Sequence, residues 1–170
     1  SGSGIIFGNS GGVMRAAVRT AHYNITGKNP SEDLIQMKEV QGLKGLKEAT
    51  VNLGGLTLNV AVCYEMRNAQ AILEQVKAGT CKYQFIEVMA CEGGCIGGAG
   101  QPAKSADILE KRALALNNAD QNAAIRFCHN NPEIKAVYKK FLVEPGSEKA
   151  EEYLHTSFKD KSALLVAEKK

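Results

Sequence analysis

The chain contains 170 residues, of which 44% are hydrophobic and 23% are charged, and its formal net charge is +3. This length is enough for one domain with a real hydrophobic core, and the composition is that of a globular protein in water. The mild positive charge is not gathered into a basic face with interleaved aromatics, so nucleic-acid binding is not indicated. No apolar run is long enough to cross a bilayer, and residues 1–4 lack the features of a signal peptide. Because residue 1 is Ser rather than Met, we expect a processed or excised chain.

The first part of the chain predicts a strand, a turn and a helix. Residues 5–7 form a short apolar run that favours a strand. A glycine-rich turn then opens a helix over residues 13–21, capped by Asn9 or Ser10 and ending near Gly27. The glycine spacing matches neither the dinucleotide-binding fingerprint nor a P-loop. The turn is therefore either a plain tight turn or a contact for an anion or cofactor.

The middle of the chain predicts a hairpin followed by a helix and a strand. Residues 46–53 and 56–63 are extended runs separated by Gly54-Gly55, which is typical of a hairpin turn. Residues 68–77 predict a helix closed by glycine, and residues 83–88 predict a buried strand. The buried stripe of that helix is expected to contain Ala69, Ile72, Leu73 and Val76.

The last part of the chain predicts three helices and a tail. The helices are expected over residues 105–122, 133–141 and 148–155, with Ser147 capping the third. We expect the first of them to bury Ile108, Leu109, Ala113 and Leu116. Strands that alternate with helices and glycine-rich loops indicate an α/β fold, with a mixed or mainly parallel sheet and flanking helices.

Two of the five cysteines, Cys91 and Cys95, lie in a glycine-rich loop after the strand of residues 83–88. Ligands tend to bind at the carboxyl ends of strands in open α/β sheets, and thiolates bind zinc, copper(I) and iron–sulfur clusters. Two cysteines are too few for a structural zinc site. From the residues alone the pair is a set of metal or cluster ligands, a redox pair or inert packing. An odd number of cysteines favours reduced thiols in a cytosolic or anaerobic setting.

Three stretches carry a family resemblance. Residues 89–102, MACEGGCIGGAGQP, resemble the third cluster-binding motif of the iron-only hydrogenases. Residues 1–14, SGSGIIFGNSGGVM, resemble the segment that packs over the active site in that family. The ending is similar to the family's C-terminal helices through Asn131-Pro132, Phe141-Leu142, Pro145-Gly146-Ser147 and Leu154-His155-Thr156.

The resemblance implies a cofactor and a ligand set. In this family a 4Fe–4S cubane is joined through a cysteine sulfur to a two-iron unit, where hydrogen is made or split. Cys91 matches a terminal cubane ligand and Cys95 matches the bridging cysteine. The residues that match the lining of the two-iron pocket are Met89, Phe7, Gly8 and Val13. Two earlier cysteine motifs of the family are absent from this sequence, so the chain supplies two of the four cubane ligands. Whether this chain alone holds any metal is left open.

The resemblance also implies a domain organisation and partners. Residues 1–158 are expected to form one lobe, the C-terminal one, of a two-lobed iron hydrogenase catalytic domain, and residues 159–170 a charged tail. The implied partners are the N-terminal half of that domain and an electron carrier such as ferredoxin, with no membrane partner and a cytoplasmic location. A lobe without its partner exposes apolar surface, so we also expect self-association.

The implied function is reversible reduction of protons to H₂, and we expect the isolated chain to be inactive. One alternative is a non-catalytic iron–sulfur assembly scaffold, against which Leu154-His155-Thr156 argues. Another is a sensory hydrogenase-like protein, which Glu92 favours because catalytic members have proline there. The Glu92 carboxylate either faces the cluster or is solvated.

The remaining polar residues are expected to have structural roles. Arg15 and Arg19 share a helix face that we expect to be solvated. The other three cysteines and the histidines are expected to pack or to form structural hydrogen bonds, namely Cys63, Cys81, Cys128, His22, His129 and His155. Glu65, Glu74 and Glu87 lack a paired carboxylate at a convincing spacing, so no acid–base role is indicated.

Overall fold

The structure is a computed structural model. It describes residues 1–31, 34–40, 44–102, 105–157, 159 and 160. Most of the predicted tail, residues 161–170, lies outside the described residues. The chain divides into two compact units, Ser1–Asn131 and Pro132–Lys170. The cysteine pair lies in the first unit.

The first unit is built on a four-stranded mixed sheet with the strand order β1-β2-β3-β4. The three neighbouring pairs are antiparallel, antiparallel and parallel, in that order. The α/β prediction with a mixed sheet is therefore confirmed, and the mainly parallel variant is not the one adopted. The strands are β1 (Lys38–Glu39), β2 (Leu46–Leu53), β3 (Leu56–Tyr64) and β4 (Phe85–Met89).

The hairpin between β2 and β3 forms as the sequence predicts. Leu53 pairs with Leu56, so the loop has two residues, Gly54 and Gly55, with φ values of 64° and 102°. Positive φ at both positions is what a tight hairpin turn requires and what glycine adopts readily. The Asn52 side chain accepts a hydrogen bond from the Gly55 amide at 2.9 Å and fixes the turn.

The described residues contain six helices. In the first unit they are α1 (Gly2–Ile5), α2 (Gly12–Thr26), α3 (Met66–Lys77) and α4 (Ala106–Gln121). In the second unit they are α5 (Pro132–Val137), which continues as a π-helix over Tyr138–Leu142, and α6 (Glu148–Leu154). Short 3₁₀ turns cover Ile6–Gly8, Cys95–Gly97 and Cys128–Asn130.

The predicted strand at residues 5–7 is wrong, because this segment continues from α1 into a 3₁₀ turn. Ile6 is fully buried, whereas Ile5 and Phe7 are exposed. Three apolar residues fit one helical turn as well as they fit a strand, so their pattern cannot separate the two.

Helices cover both faces of the sheet, and each face has its own core. On one face Met14 and Val18 of α2 pack against Val51, Val60 and Val62. On the other face Ala69 and Ile72 of α3 pack against Leu46, Ala61 and Cys63. Successive residues of β3 alternate between the two cores, as the period of a strand requires.

Several predicted core positions are wrong. Leu73 and Val76 of α3 are exposed, since the contacts with the sheet go through Ala69 and Ile72. The strand of residues 83–88 is also not buried as a whole: in β4 only Glu87 is buried, and Val88 is exposed. The four residues expected inside α4 are only half-buried.

The buried residue of α4 is Asp120, which binds two arginines. Its carboxylate accepts hydrogen bonds from Arg19 Nη1 at 2.8 Å and Nη2 at 2.7 Å, and from Arg126 Nη2 at 3.2 Å. Arg15, one turn before Arg19, donates to Asn117 Oδ1 at 2.6 Å. The expected solvated arginine face is therefore wrong: α4 covers it, and a helix that lies about 100 residues away in sequence leaves no local signal.

The second unit contains the predicted cap of the last helix. Ser147 Oγ accepts a hydrogen bond from the Ala150 amide at 3.2 Å and donates to the Leu142 carbonyl at 2.6 Å. The His155 ring lies 3.4 Å from Glu151 Oε2 on α6. These contacts are structural, as expected from the sequence.

Candidate metal centre

The cysteine loop, residues 90–101, begins where β4 ends. β4 lies at the edge of the sheet and runs parallel to β3, so the loop leaves the sheet at the carboxyl end of a parallel pair. Cys95 is exposed and Cys91 is half-buried. Both thiols are therefore placed on a strand-end loop, as the sequence predicts, with Cys95 open to a partner group.

The backbone of the loop is folded tightly on itself. The Gly94 amide donates to the Cys91 carbonyl at 3.0 Å, and the Gly98 amide donates to the Cys95 carbonyl at 3.1 Å. Residues Cys95–Gly97 form a 3₁₀ turn in which the Gly97 amide donates to Gly94. This hydrogen bonding fixes the backbone on both sides of each cysteine.

The glycine-rich turn of residues 8–12 packs directly on the cysteine loop. The Ser10 amide donates a hydrogen bond to the Gly93 carbonyl at 3.0 Å. At Gly94, where φ is +93°, a Cβ atom would lie 2.8 Å from Ser10 N, 2.9 Å from Gly8 O and 3.1 Å from Met89 Sδ. Only glycine fits this contact.

The sequence-predicted site residues come together only in part. Gly8 and Met89 lie at the cysteine loop itself, next to Gly94. Phe7, which is 47% exposed, and Val13, which is half-buried, share the neighbouring turn and the first turn of α2. The two stretches that carry the resemblance near the start and the middle of the chain are thus in contact.

Helix α4 supports the cysteine loop from another side. Arg112 Nη1 donates to the Ile96 carbonyl at 2.8 Å, one residue after Cys95. The Leu109 side chain packs near Gly93 and Gly97. Arg112 was missed from the sequence because an arginine in a helix is ordinarily solvated, and no local pattern marks its contact with Ile96.

The N-terminus of α2 is capped by a carboxylate from β4. Glu87 Oε1 accepts from the Gly11 amide at 2.7 Å, and Oε2 accepts from the Met14 amide at 2.6 Å. The predicted cap by Asn9 or Ser10 is wrong, since neither side chain caps the helix and the N-cap position is Gly11. The internal carboxylate favours the plain tight turn over an external anion contact.

Glu92 is near a lysine and partly solvated. Its side chain is 32% exposed, and Oε1 lies 3.8 Å from Lys44 Nζ, which is 85% exposed. A pair this open to water contributes little to stability. Of the two alternatives for the Glu92 carboxylate, its partial exposure therefore favours the solvated one.

The remaining thiols and imidazoles of the first unit are not part of the cysteine loop. Cys63 is buried in β3, where burial raises the pKa of its thiol. Cys128 lies 3.3 Å from Thr20 Oγ1. His129 stacks on Tyr23, with ring centroids 4.3 Å apart. Cys81 and His22 contact backbone carbonyls, those of Tyr83 and Lys28 respectively.

The described residues contain no cluster of three or more His, Cys, Asp or Glu side chains that could hold a metal ion. Cys91 and Cys95 thus offer two thiolates on one side, and a tetrahedral or cubane site needs ligands from elsewhere. Among the described residues, the one buried side-chain polar atom without a hydrogen-bond partner is Ser10 Oγ, in the turn that packs on this loop. The geometry fits one side of a thiolate-held centre.

Comparison with known proteins identifies the family of the chain. The family model described as iron only hydrogenase large subunit, C-terminal domain, matches residues 1–99, and the model described as iron hydrogenase small subunit matches residues 106–161. The chain belongs to the iron-only hydrogenase family, as the resemblance in the sequence predicts.

Hydrogenases are among its most similar relatives. The chain is 40% identical over 160 residues to the NADP-reducing hydrogenase subunit HndD of Solidesulfovibrio fructosivorans, covering 93% of this chain and 27% of that protein. It is 38% identical over 165 residues to iron hydrogenase 1 of Clostridium pasteurianum, covering 94% and 28%. The chain thus spans little more than a quarter of these relatives.

A solved structure and a further relative complete the comparison. The FeFe-hydrogenase HydA1 from Chlamydomonas reinhardtii matches with a TM-score of 0.74 and 35% identity over 89% of this chain and 45% of that chain. Protein NAR1 of Arabidopsis thaliana is 32% identical over 160 residues, covering 90% of this chain and 33% of that protein. Among the described residues, none of the helices is long and apolar enough to span a bilayer.

Proposed function

We propose that this chain supplies one side of the cluster site of an iron-only hydrogenase, with the other side coming from the N-terminal half of the catalytic domain. The observation that supports this most strongly is the contact between two separate glycine-rich segments, in which the Ser10 amide bonds to the Gly93 carbonyl beside both cysteines. This contact gathers Met89, Cys91 and Gly8 around one loop, from which Cys95 faces outwards.

In this proposal Cys91 and Cys95 would hold the cluster as two of its thiolate ligands. The cofactor, when bound, supplies the redox and hydrogen-activating chemistry. The residues fit that group in part, because two thiolates are half of a cubane's ligand set. The unpartnered Ser10 hydroxyl, buried beside the loop, is a donor that could satisfy a cluster or water acceptor.

The other site residues would shape the pocket. Met89 presents its sulfur next to Gly94 at the base of the loop. Phe7, Gly8 and Val13 would exclude water from the two-iron unit, and the half-exposed ring of Phe7 is surface that a partner lobe would cover. Exclusion of water matters because the reduction potential of such a centre depends on its solvent exposure.

The proposed reaction of the complete protein is 2H⁺ + 2e⁻ ⇌ H₂, with the electrons exchanged with a carrier such as ferredoxin. The isolated 170-residue chain is expected to be inactive, since under this proposal Cys91 and Cys95 are only two of the four cubane ligands. A cytoplasmic location also remains a prediction.

The experiment that tests the proposal is hydrogen evolution from reduced viologen under anaerobic conditions. The protein that contains this chain together with its preceding half should evolve H₂, and its Cys95→Ala variant should not. A Cys128→Ala variant is the matched control and should retain activity. Hydrogen evolution above a blank by the isolated chain would contradict the proposed ligand count.

A second candidate function is a non-catalytic role in iron–sulfur assembly. Protein NAR1 of Arabidopsis thaliana and the cytosolic iron-sulfur assembly component 3 of Bos taurus match 90% and 89% of this chain. Hydrogenase relatives match 93% and 94% of this chain, so the share of the chain that is matched does not separate the two functions. A protein that binds its cluster and evolves no H₂ would support the assembly role or the sensory role suggested by Glu92.

A further inference from the structure

We propose that Glu87 is a positioning residue for the cysteine loop. Its buried carboxylate fixes the turn of residues 8–12 through hydrogen bonds. This turn packs on the loop that carries Cys91 and Cys95 and keeps it in place. The importance of the two sulfurs rests on the proposed function, but the contacts that carry the proposal involve this chain alone.

Glu87 is a buried acid whose charge is balanced by backbone amides. It is 7% exposed and lies on β4, where it pairs in register with Val62 and faces α2. Its two oxygens accept hydrogen bonds from Gly11 N and Met14 N, at the N-terminus of a 15-residue helix. A buried carboxylate is stable only when its oxygens are satisfied, and a helix N-terminus provides both donors and a favourable dipole.

This cap links segments that are far apart in the sequence. Gly11 and Met14 are 76 and 73 residues away from Glu87, whereas an ordinary N-cap comes from the residue beside the helix. Asn9 and Ser10 stand where a local cap would be, and neither performs it. The carboxylate therefore joins α2 to β4, which a local cap would not do.

The joined segments are those that enclose the cysteine loop. β4 leads into the loop through Met89, whose carbonyl accepts from the Glu65 amide at 2.9 Å. The turn contacts the loop through Ser10 N and Gly93 O, and Gly94 is packed too closely for a Cβ atom. Loosening the turn should therefore loosen the loop.

The test is amide hydrogen exchange on the metal-free chain, comparing wild type with Glu87→Gln and Glu87→Asp. Glutamine keeps the size but has no charge and presents an NH₂ group to a backbone donor. We expect the amides of Gly11 and Met14 to exchange roughly 10- to 100-fold faster in Glu87→Gln. We also expect Ser10 and Gly94 to accelerate with them.

The amides of the β2–β3 hairpin report global opening and serve as the reference within each variant. Glu74→Gln, an exposed change of the same chemistry on α3, is the matched control and should leave all of these rates unchanged. Glu87→Asp keeps the charge on a shorter side chain. It should partly restore the slow amide exchange of both the turn and the loop, to a similar extent in each.

Acceleration confined to residues 11–14 would overturn the proposal, because Glu87 would then be a helix cap and nothing more. Equal acceleration over the hairpin and the loop would also overturn it. If Glu87→Gln does not fold, the proposal is tested instead by amide exchange of the wild-type chain at low denaturant concentrations. Gly11, Met14 and Gly94 should then open with one free energy and one denaturant slope, and different slopes would contradict the proposal. Failure to bind iron would refute the proposed function and leave this result standing.

Discussion

Removing the Asp120 carboxylate should destabilise the chain strongly, because this carboxylate is the anion that the buried Arg19 and the half-buried Arg126 share. The Asp120 side chain is 2% exposed, and those of Arg19 and Arg126 are 9% and 18% exposed. Breaking a buried ion pair by deleting one partner costs about 3–5 kcal/mol. For a chain of this length we therefore expect Asp120→Ala to lower Tm by roughly 6–20 °C.

The assay is thermal and urea unfolding followed by circular dichroism, with a control on the same helix. Asp107 forms an ion pair with Lys111 at 2.9 Å, but these side chains are 69% and 74% exposed. Asp107→Ala should therefore cost less than about 1 kcal/mol. Equal losses of stability in Asp107→Ala and Asp120→Ala would refute the reasoning that the buried pair joins α2 to α4.

Three further predictions follow from named contacts. Burial alone would raise the pKa of Asp120, but hydrogen bonds and charges from Arg19 and Arg126 hold it below its ordinary value. The contribution of the ionised Asp120 to folding stability should be fully present above the unfolded pKa of about 3.9 and lost as pH falls through the folded pKa. The difference in free energy of unfolding between wild type and Asp120→Asn should therefore narrow as the pH is lowered. Gly94→Ala should lower the free energy of unfolding more than Gly100→Ala does. The two glycines have similar φ values, +93° and +87°, but only at Gly94 would the added Cβ atom lie within 4 Å of other atoms. Equal losses would mean that backbone strain alone accounts for the effect. Arg112→Gln should speed hydrogen exchange of the Gly98 amide by roughly tenfold, because it weakens the hydrogen bond to the Ile96 carbonyl. An unchanged rate would show that Arg112 does not support the cysteine loop.

Local chemistry made some elements predictable from the sequence. The β2–β3 hairpin is marked by Gly54-Gly55 between alternating runs, and the Ser147 cap is set by the residue at the start of α6. α2 ends at Gly27 as expected, because this residue adopts φ +69°. In each case the signal and the structure lie within a few residues of each other.

Two of the wrong predictions depend on distant partners. Whether Arg19 is solvated depends on Asp120, and whether Ser10 caps α2 depends on Glu87. An acid inside an apolar run was the one sequence signal for Glu87, since a buried carboxylate implies a set of donors. That signal indicates a partner without saying which one.

The candidate site shows the same division. From the residues alone, metal ligation was one of three alternatives for Cys91 and Cys95, and the family resemblance is what favoured it. The contact of Ser10 with Gly93 and the support from Arg112 required the fold. The described residues contain no further ligands for the proposed cubane, and the chain spans 27% and 28% of its hydrogenase relatives.

The most direct test of the central claim is the iron content of the protein that contains this chain with its preceding half. We predict that Cys91→Ala and Cys95→Ala each lose at least the iron of one cubane, about four atoms per chain, together with its spectroscopic signature. Cys128→Ala should retain the wild-type iron content, since its thiol lies beside Thr20 rather than on the cysteine loop. Unchanged iron and spectra in both Cys91→Ala and Cys95→Ala would contradict the claim that this loop holds one side of the cluster.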